Sequence, residues 1–87
     1  MGIGRQVAVV QGQVSNLDGI SCGGRYHFPA TRGEPEAVEV AVWTEDTDAV
    51  HVELHVGNTF EFGGQTWRLD EVSDEGRAWD ATLTRIA

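Results

Sequence analysis

Cysteine and basic residues are scarce in this sequence. It contains one cysteine, Cys22, and six basic residues, all of them arginine, against 14 acidic residues, which gives a net charge of −8. A single cysteine cannot form an intramolecular disulfide or an all-cysteine zinc site. The negative charge opposes binding to phosphate backbones and to anionic lipid surfaces, because both depend on Lys and Arg. We therefore expect no nucleic-acid partner and no membrane association.

Long apolar segments are also missing. No apolar run without a charge is longer than residues 7–10, whereas a transmembrane helix needs about 20 residues. The first six residues contain no apolar segment typical of an export signal, and we therefore expect a cytoplasmic protein. With 87 residues, 40% of them apolar, the chain has the size of a single domain, residues 1–87, with one modest core.

Helical periodicity is absent, and the dominant pattern is an alternation of apolar and polar residues. A period of two places successive side chains on opposite faces of a strand. In residues 50–56 every even position is aliphatic and every odd position is polar, and in residues 37–44 the valines at 38, 40 and 42 alternate with Glu39, Ala41 and Trp43. Residues 45–48 (EDTD) between them favour a turn. The two segments are therefore predicted to form an antiparallel hairpin.

A second hairpin is predicted in the C-terminal part of the chain. Gly63 and Gly64 separate residues 60–62 from residues 65–69, both typical of strands. Because glycine adopts positive φ without steric cost, the pair indicates a primed hairpin turn. Trp67 and Leu69 share one face of this strand, but the alternation would place Val72 on the other face. This indicates a bulge or a strand end at residues 70–71.

Two further predictions complete the C-terminal part. A turn is expected at residues 73–76, and a last strand at residues 77–86, with Trp79, Ala81 and Leu83 on one face.

The N-terminal third is less regular. Residues 7–10 predict a strand and residues 16–19 a turn, whereas residues 20–22 and 25–28 form either two short strands or one bent strand. Six to seven short strands separated by frequent turns predict an all-β fold, a small single-domain antiparallel barrel or sandwich. The expected core contains Val7, Val9, Phe28, Val38, Val40, Val42, Val50, Val52, Leu54, Val56, Phe60, Phe62, Trp67, Leu69, Trp79 and Leu83.

Several segments of the C-terminal third resemble a known family. They are residues 57–60 (GNTF), residues 63–69 (GGQTWRL), Val72 and residues 83–86 (LTRI). Over residues 57–87 the chain is similar to the C-terminal half of a family of small uncharacterised proteins from Streptomyces and related actinobacteria. Asn58 stands where that family usually has Asp. The resemblance supports the hairpin predicted at Gly63 and Gly64 and implies no activity.

His51, Glu53 and His55 form the pattern with the most chemical potential. On a strand they share one face, with neighbours about 6.6 Å apart at roughly 3.3 Å per residue. Neighbouring members can hold one metal ion, but the two histidines, about 13 Å apart, cannot both bind it directly. A metal site would need further ligands, such as His27 or an acidic loop residue. The alternatives are a solvated polar face opposite the valines, which we favour, and a pH-sensitive face.

Cys22 and His27 are the only candidate pair of nucleophile and base in the sequence. A catalytic cysteine needs a lowered pKa and an oriented imidazole. The residues around Cys22 carry no recognised catalytic signature, and the expected role of Cys22 is a structural thiol.

Trp43 is the most informative aromatic residue. If Val38, Val40 and Val42 face the core, Trp43 lies on the outer face with Glu39 and Ala41. An exposed Trp beside a small residue can anchor a protein partner or stack on a sugar. Alternatively, the sheet is covered on both faces and Trp43 belongs to a second small core.

These observations favour a small acidic interaction module without enzymatic activity and without a cofactor. We expect it to bind a protein partner or to form a homodimer, through an edge strand or through the outer face with Trp43, Glu39 and Ala41. The alternative is a divalent-metal-binding protein that uses His51, Glu53 and His55. A thiol enzyme at Cys22 and His27 is the third and least favoured interpretation.

Overall fold

The fold is described by a computed structural model that defines residues 3–74 and 78–87. These residues contain eight strands and no helix. The strands are β1 (Gln6–Val10), β2 (Val14–Leu17), β3 (Ile20–Phe28), β4 (Ala37–Trp43), β5 (Val50–His55), β6 (Thr59–Phe62), β7 (Gln65–Ser73) and β8 (Asp80–Arg85). The predicted all-β class is therefore confirmed. Within the described ranges, no helix has the length and apolarity needed to cross a membrane.

The strands form two four-stranded antiparallel sheets. The first sheet has the order β1-β8-β7-β6, and the second has the order β2-β3-β4-β5. Their facing sides enclose one apolar core. The architecture is thus a sandwich and not a closed barrel. It contains one strand more than the sequence indicated, because residues 14–17 form β2.

The β2–β3 hairpin explains why β2 was missed. Its turn occupies only Asp18 and Gly19, both at positive φ (52° and 95°), and Leu17 pairs directly with Ile20. The side chain of Asn16 accepts a hydrogen bond from the Gly19 amide at 2.8 Å, a local bond typical of turns. The turn predicted at residues 16–19 is therefore shorter than expected, and Leu17 lies in the core.

Two predicted hairpins are confirmed. In β4–β5, Val40 pairs with Val52, and the valines of both strands share the inner face. In β6–β7, the turn consists of Gly63 and Gly64 at φ values of 59° and 78°. Local turn chemistry and alternation determine both of these elements.

Two bulges change the faces that side chains occupy. In β7 the register shifts between Leu69 and Glu71, as the parity of Val72 indicated. Strand β3 is continuous over residues 20–28, with a register shift between Gly24 and Tyr26. The last predicted strand is found at Asp80–Arg85. The predicted turn positions 75–76 and the predicted strand start at Arg77 lie outside the described residues.

Most of the expected core is buried between the sheets. The buried cluster contains Val9, Leu17, Ile20, Cys22, Val38, Val40, Val42, Leu54, Phe60, Trp67, Leu69, Trp79, Ala81 and Leu83. Val7, Val52 and Phe62 pack against it and are partly buried. The predicted core positions were wrong for Phe28, Val50 and Val56, which are 43%, 47% and 52% exposed.

These three errors have two causes. The bulge in β3 places Phe28 opposite Ala37, on the outer face of the second sheet. Val50 and Val56 have inward parity, but they lie at the start of the edge strand β5 and just beyond its end, where the first sheet does not cover them. Alternation therefore assigned these valines to a face, while their burial depended on the extent of the opposite sheet.

Asp18 connects the two sheets at one end of the sandwich. Its carboxylate contacts Arg5 at 2.7 Å and Arg85 at 3.2 Å, and its carbonyl accepts a hydrogen bond from the Gln65 side chain at 2.8 Å. The β2–β3 turn of the second sheet is thereby bonded to residues of the first sheet. Ion pairs with arginine at short range hold this end of the sandwich together.

Candidate binding face

The outer faces of the two sheets differ in chemistry. By register, the outer face of the first sheet is mainly polar and charged, with residues such as Arg68, Glu71 and Thr82. The second sheet presents apolar residues on the outer side of β2, β3 and β4, and His51, Glu53 and His55 on the outer side of β5. We define the aromatic face as Val14, Tyr26, Phe28, Ala37, Ala41 and Trp43.

Three residues of the aromatic face are substantially exposed. Val14 is 63% exposed and Tyr26 is 52% exposed, while Phe28 is the outward residue that had been assigned to the core. The Tyr26 and Phe28 rings are 6.4 Å apart between centroids, within the range of aromatic pairs. The Arg25 guanidinium lies 5.4 Å from the Tyr26 ring centre, over its face. Arg25 and the two rings thus form one continuous patch.

Trp43 lies on this face at the position that alternation predicted. It pairs with Ser21, and its ring lies over the neighbouring Gly23, which has no side chain. Trp43 is half-buried. Trp43 therefore lies between the two alternatives of an exposed anchor and a residue of a second core. One side of its ring packs on the sheet, while part of the side chain remains accessible.

The other two residues predicted for partner binding differ from each other. Ala41 has the predicted outward parity, but it is only 5% exposed, so its contribution is to leave room for its neighbours. Glu39 is half-buried, with its carboxylate 3.7 Å from Arg25 and 3.8 Å from His51. Glu39 is therefore the charged residue nearest the centre of the aromatic face.

His51, Glu53 and His55 lie together on the outer side of β5, as predicted. They pair with Ala41, Glu39 and Ala37. The Nδ1 atom of His55 is 3.0 Å from the Glu36 carbonyl oxygen. Among the residues that the structure defines, no group of three or more His, Cys, Asp or Glu side chains is arranged to hold a metal ion. The geometry therefore lends no support to the metal-binding alternative.

Cys22 and His27 are not arranged as a nucleophile and base. Cys22 is fully buried in the core, and this burial raises the pKa of its thiol to about 12. The ring nitrogens of His27 face carboxylates instead, with Nε2 2.7 Å from Glu36 and Nδ1 3.4 Å from Asp74. A neutral thiol without a base is a poor nucleophile. Within the described part of the chain, Cys22 therefore contributes to the core, and His27 contacts carboxylates and not the thiol.

Sequence reasoning missed Tyr26 and Val14 as members of the exposed face. The expected core included Phe28, but beyond the bulge Tyr26 and Phe28 share the outer side of β3. Val14 belongs to β2, which the sequence did not reveal. The pairing of β3 with β4 beyond the bulge supplies the missing information, because it places Tyr26 opposite Glu39.

Comparison with known proteins adds a family assignment. No curated protein and no solved structure matches the chain. The sequence matches a family of unknown function, DUF6406, over residues 4–87. This match extends well beyond the C-terminal segment in which the resemblance was noted. Because it covers nearly the whole chain, the protein belongs to the DUF6406 family.

Proposed function

We propose that this protein is a small acidic interaction module without enzymatic activity that binds a basic protein partner through the aromatic face. The observation that carries the proposal is the contrast between the two sheets. One outer face is mainly polar, whereas the other exposes Val14, Tyr26 and Phe28 and also carries the half-buried Trp43. Exposed apolar residues that are contiguous and bordered by charges are typical of interaction surfaces.

The residue types of the aromatic face suit a protein partner. Tyr, Trp and Arg are enriched among the residues that contribute most to binding energy at protein interfaces. Tyr26, Trp43 and Arg25 lie on the same sheet, and the small residue Ala41 places no bulky side chain on the outer face next to Trp43. No pocket is found among the described residues, which supports contact with a protein segment, since small molecules prefer concave sites.

The charge supports a basic partner. The chain has a net charge of −8, and Glu39 and Glu53 are paired within the candidate face. The exposed turn after Trp43 adds Glu45, Asp46 and Asp48. A Lys or Arg of the partner can lie over the accessible part of the Trp43 ring, with these carboxylates nearby.

The proposed setting is the cytoplasm. Cys22 is a free and buried cysteine, which suits a reducing compartment. An actinobacterial origin stays a prediction from the sequence resemblance.

A displayed library of random peptides tests the proposal directly. The purified protein is used to select peptides, and their affinities are then measured for the wild type and for Tyr26→Ser. We expect the selected peptides to be basic, to bind about tenfold or more weakly to Tyr26→Ser, and to lose affinity at high salt. Tyr26 is more than half exposed, so its replacement leaves the fold intact.

Arg68→Ser is the matched control. Arg68 is exposed on the polar outer face of the first sheet, and its replacement is expected to leave the affinities unchanged. Selected peptides that are acidic, or that bind equally well to Tyr26→Ser and the wild type, would contradict the proposal. Failure to select any peptide above background would also count against it.

A further inference from the structure

The second sheet ends at β5, and the outer edge of this strand is open. Among the described residues, β5 pairs with β4 alone. An open edge presents backbone N–H and C=O groups that can pair with another strand. Val50 at the start of β5 has inward parity and remains 47% exposed. The edge therefore combines unpaired backbone groups with an uncovered apolar side chain.

The turn after β5 shows which backbone groups face the open edge. The His55 amide donates to Asn58 Oδ1 at 3.0 Å, and the His55 carbonyl accepts from the Asn58 amide at 2.9 Å. The backbone groups of His55 are thus used in the turn and not in the pairing with β4. In an antiparallel pair, successive residues direct these groups to opposite sides. His51 and Glu53 therefore direct theirs toward the open edge.

We propose that a second copy of this chain pairs antiparallel with β5 across a two-fold axis at Val52, so that Glu53 lies opposite the partner's His51. Each such pair exchanges both of its backbone hydrogen bonds across the new strand boundary. The same symmetry places His51 opposite the partner's Glu53. The two second sheets then form one continuous sheet through their edge strands.

The register follows from the chemistry of the edge. An axis at Glu53 places two Glu53 side chains opposite each other, which is destabilising for like charges. An axis at Leu54 requires the backbone groups of His55, which Asn58 already binds. Only an axis at Val52 uses the free backbone groups of His51 and Glu53 on both strands and sets unlike side chains opposite each other.

The inner side of the new boundary supports the same register. Val52 meets the partner's Val52 at the axis, and Val50 lies opposite the partner's Leu54. Exposed Val50 thereby gains an apolar neighbour. The net charge of −8 on each copy opposes association at long range, so the dimer is weak at low salt and strengthens as salt screens the repulsion. The aromatic face remains open, and the pairing does not depend on the proposed function.

Sedimentation equilibrium of the full chain over a wide concentration range measures the association. The informative variant is His51→Pro, because proline removes the N–H that faces the open edge and leaves the bonds to β4 intact. We expect the wild type to dimerise more tightly at high salt, and the dissociation constant of His51→Pro to rise by about tenfold or more.

Glu61→Pro is the matched control for the edge. Glu61 lies on β6, the edge strand of the first sheet, and the Phe62–Gln65 pair that closes the hairpin directs the Glu61 amide away from β7. Its dissociation constant is expected to equal that of the wild type. The proposal would be overturned if the protein stayed monomeric at all concentrations. It would also be overturned if both proline variants raised the dissociation constant equally.

Oxidative cross-linking tests the register. In Val52→Cys the two introduced thiols face each other across the axis, at a spacing that a disulfide can bridge. In Glu53→Cys they are offset by two residues and lie too far apart. Native Cys22 is buried and does not interfere. We expect rapid disulfide dimers from Val52→Cys and slow ones from Glu53→Cys, and the opposite order would contradict an axis at Val52.

Discussion

The ring of Trp43 lies directly over the backbone of Gly23 on the neighbouring strand. A methyl group added at Gly23 would lie 3.5 Å from Trp43 Cη2, an ordinary van der Waals distance. The next residue, Gly24, is in the opposite situation. A methyl group there would lie 2.8 Å from the Val10 carbonyl oxygen and 3.0 Å from Trp79 Cη2. A side chain larger than hydrogen is therefore excluded at Gly24 by close contacts, whereas Gly23 has room for a methyl group.

Replacing each glycine by alanine tests this difference. We expect Gly24→Ala to lower the free energy of unfolding by about 1–3 kcal/mol, because the added carbon overlaps with the backbone of Val10. Gly23→Ala is expected to be neutral or slightly stabilising, since Gly in a strand interior is unfavourable. Urea denaturation of both variants provides the measurement. If the two substitutions changed the free energy of unfolding equally, the packing described around Gly23 or Gly24 would be contradicted.

Cys22 is expected to react slowly in the folded protein. Burial raises the pKa of its thiol to about 12, from an ordinary value of 9.0, so that very little thiolate is present at pH 8. A disulfide reagent should modify Cys22 many times more slowly in native buffer than in guanidinium chloride. Ser21→Cys provides a comparison at a half-buried position on the outer side of the same strand. Fast labelling of native Cys22 would revive the thiol-enzyme interpretation.

The same pKa shift predicts the effect of alkaline pH on stability. The folded state holds the Cys22 proton more tightly than the unfolded chain does. Its contribution to the free energy of unfolding is complete below pH 9 and falls as the pH rises from 9 toward 12. Replacing Cys22 by Ala should reduce that alkaline loss of stability, and urea denaturation at several pH values measures the difference. If the stability of Cys22→Ala depended on pH in the same way as that of the wild type, the burial of Cys22 would be contradicted.

Asp70 predicts a loss of stability in acid. The hydrogen bond from Thr84 and a second one from Arg68 hold the pKa of the Asp70 carboxyl below its ordinary value of 3.8. A carboxyl group with a lowered folded pKa stabilises the protein above its ordinary pKa, and this contribution is lost as the pH falls through the folded value. Asp70→Asn should therefore show a smaller decrease in stability below about pH 4 than the wild type.

Asp46→Asn is the matched control for the acid measurement. Asp46 is exposed in the β4–β5 turn, and its replacement should leave the acid limb of the stability curve unchanged. Thermal unfolding between neutral and acid pH records both variants. If Asp70→Asn followed the wild-type curve, the bonds to Thr84 and Arg68 would not stabilise the carboxylate.

The outer side of β5 predicts the response to metal ions. Because no group of three or more His, Cys, Asp or Glu side chains in the described residues is arranged to hold a metal ion, zinc or calcium is expected to leave the melting temperature unchanged. His51→Ala, which removes an exposed imidazole, should behave as the wild type does. A metal-dependent increase that disappears in His51→Ala would instead establish the divalent-metal interpretation.

The strands that sequence analysis found are those in which one chemical pattern is strong. Even positions of residues 38–42 and 50–55 are all aliphatic, and the turn at Gly63 and Gly64 has the residue type that positive φ favours. The bulge in β7 was visible because Val72 changes parity. Strand β2 was not visible, because Ser15 and Asn16 are typical of turns, and its pairing with β3 outweighs their local preference.

The sequence by itself determined the β class, the strands with a clear period of two, and the common face of His51, Glu53 and His55, because these features depend on neighbours along the chain. Tertiary structure alone decided between a barrel and a sandwich, and how far the inward side of each strand is covered. The bulge in β3 turned Phe28 outward, and the limited extent of the first sheet left Val50 exposed. Alternation fixes only the relative orientation of side chains, whereas burial requires a second surface formed by distant residues.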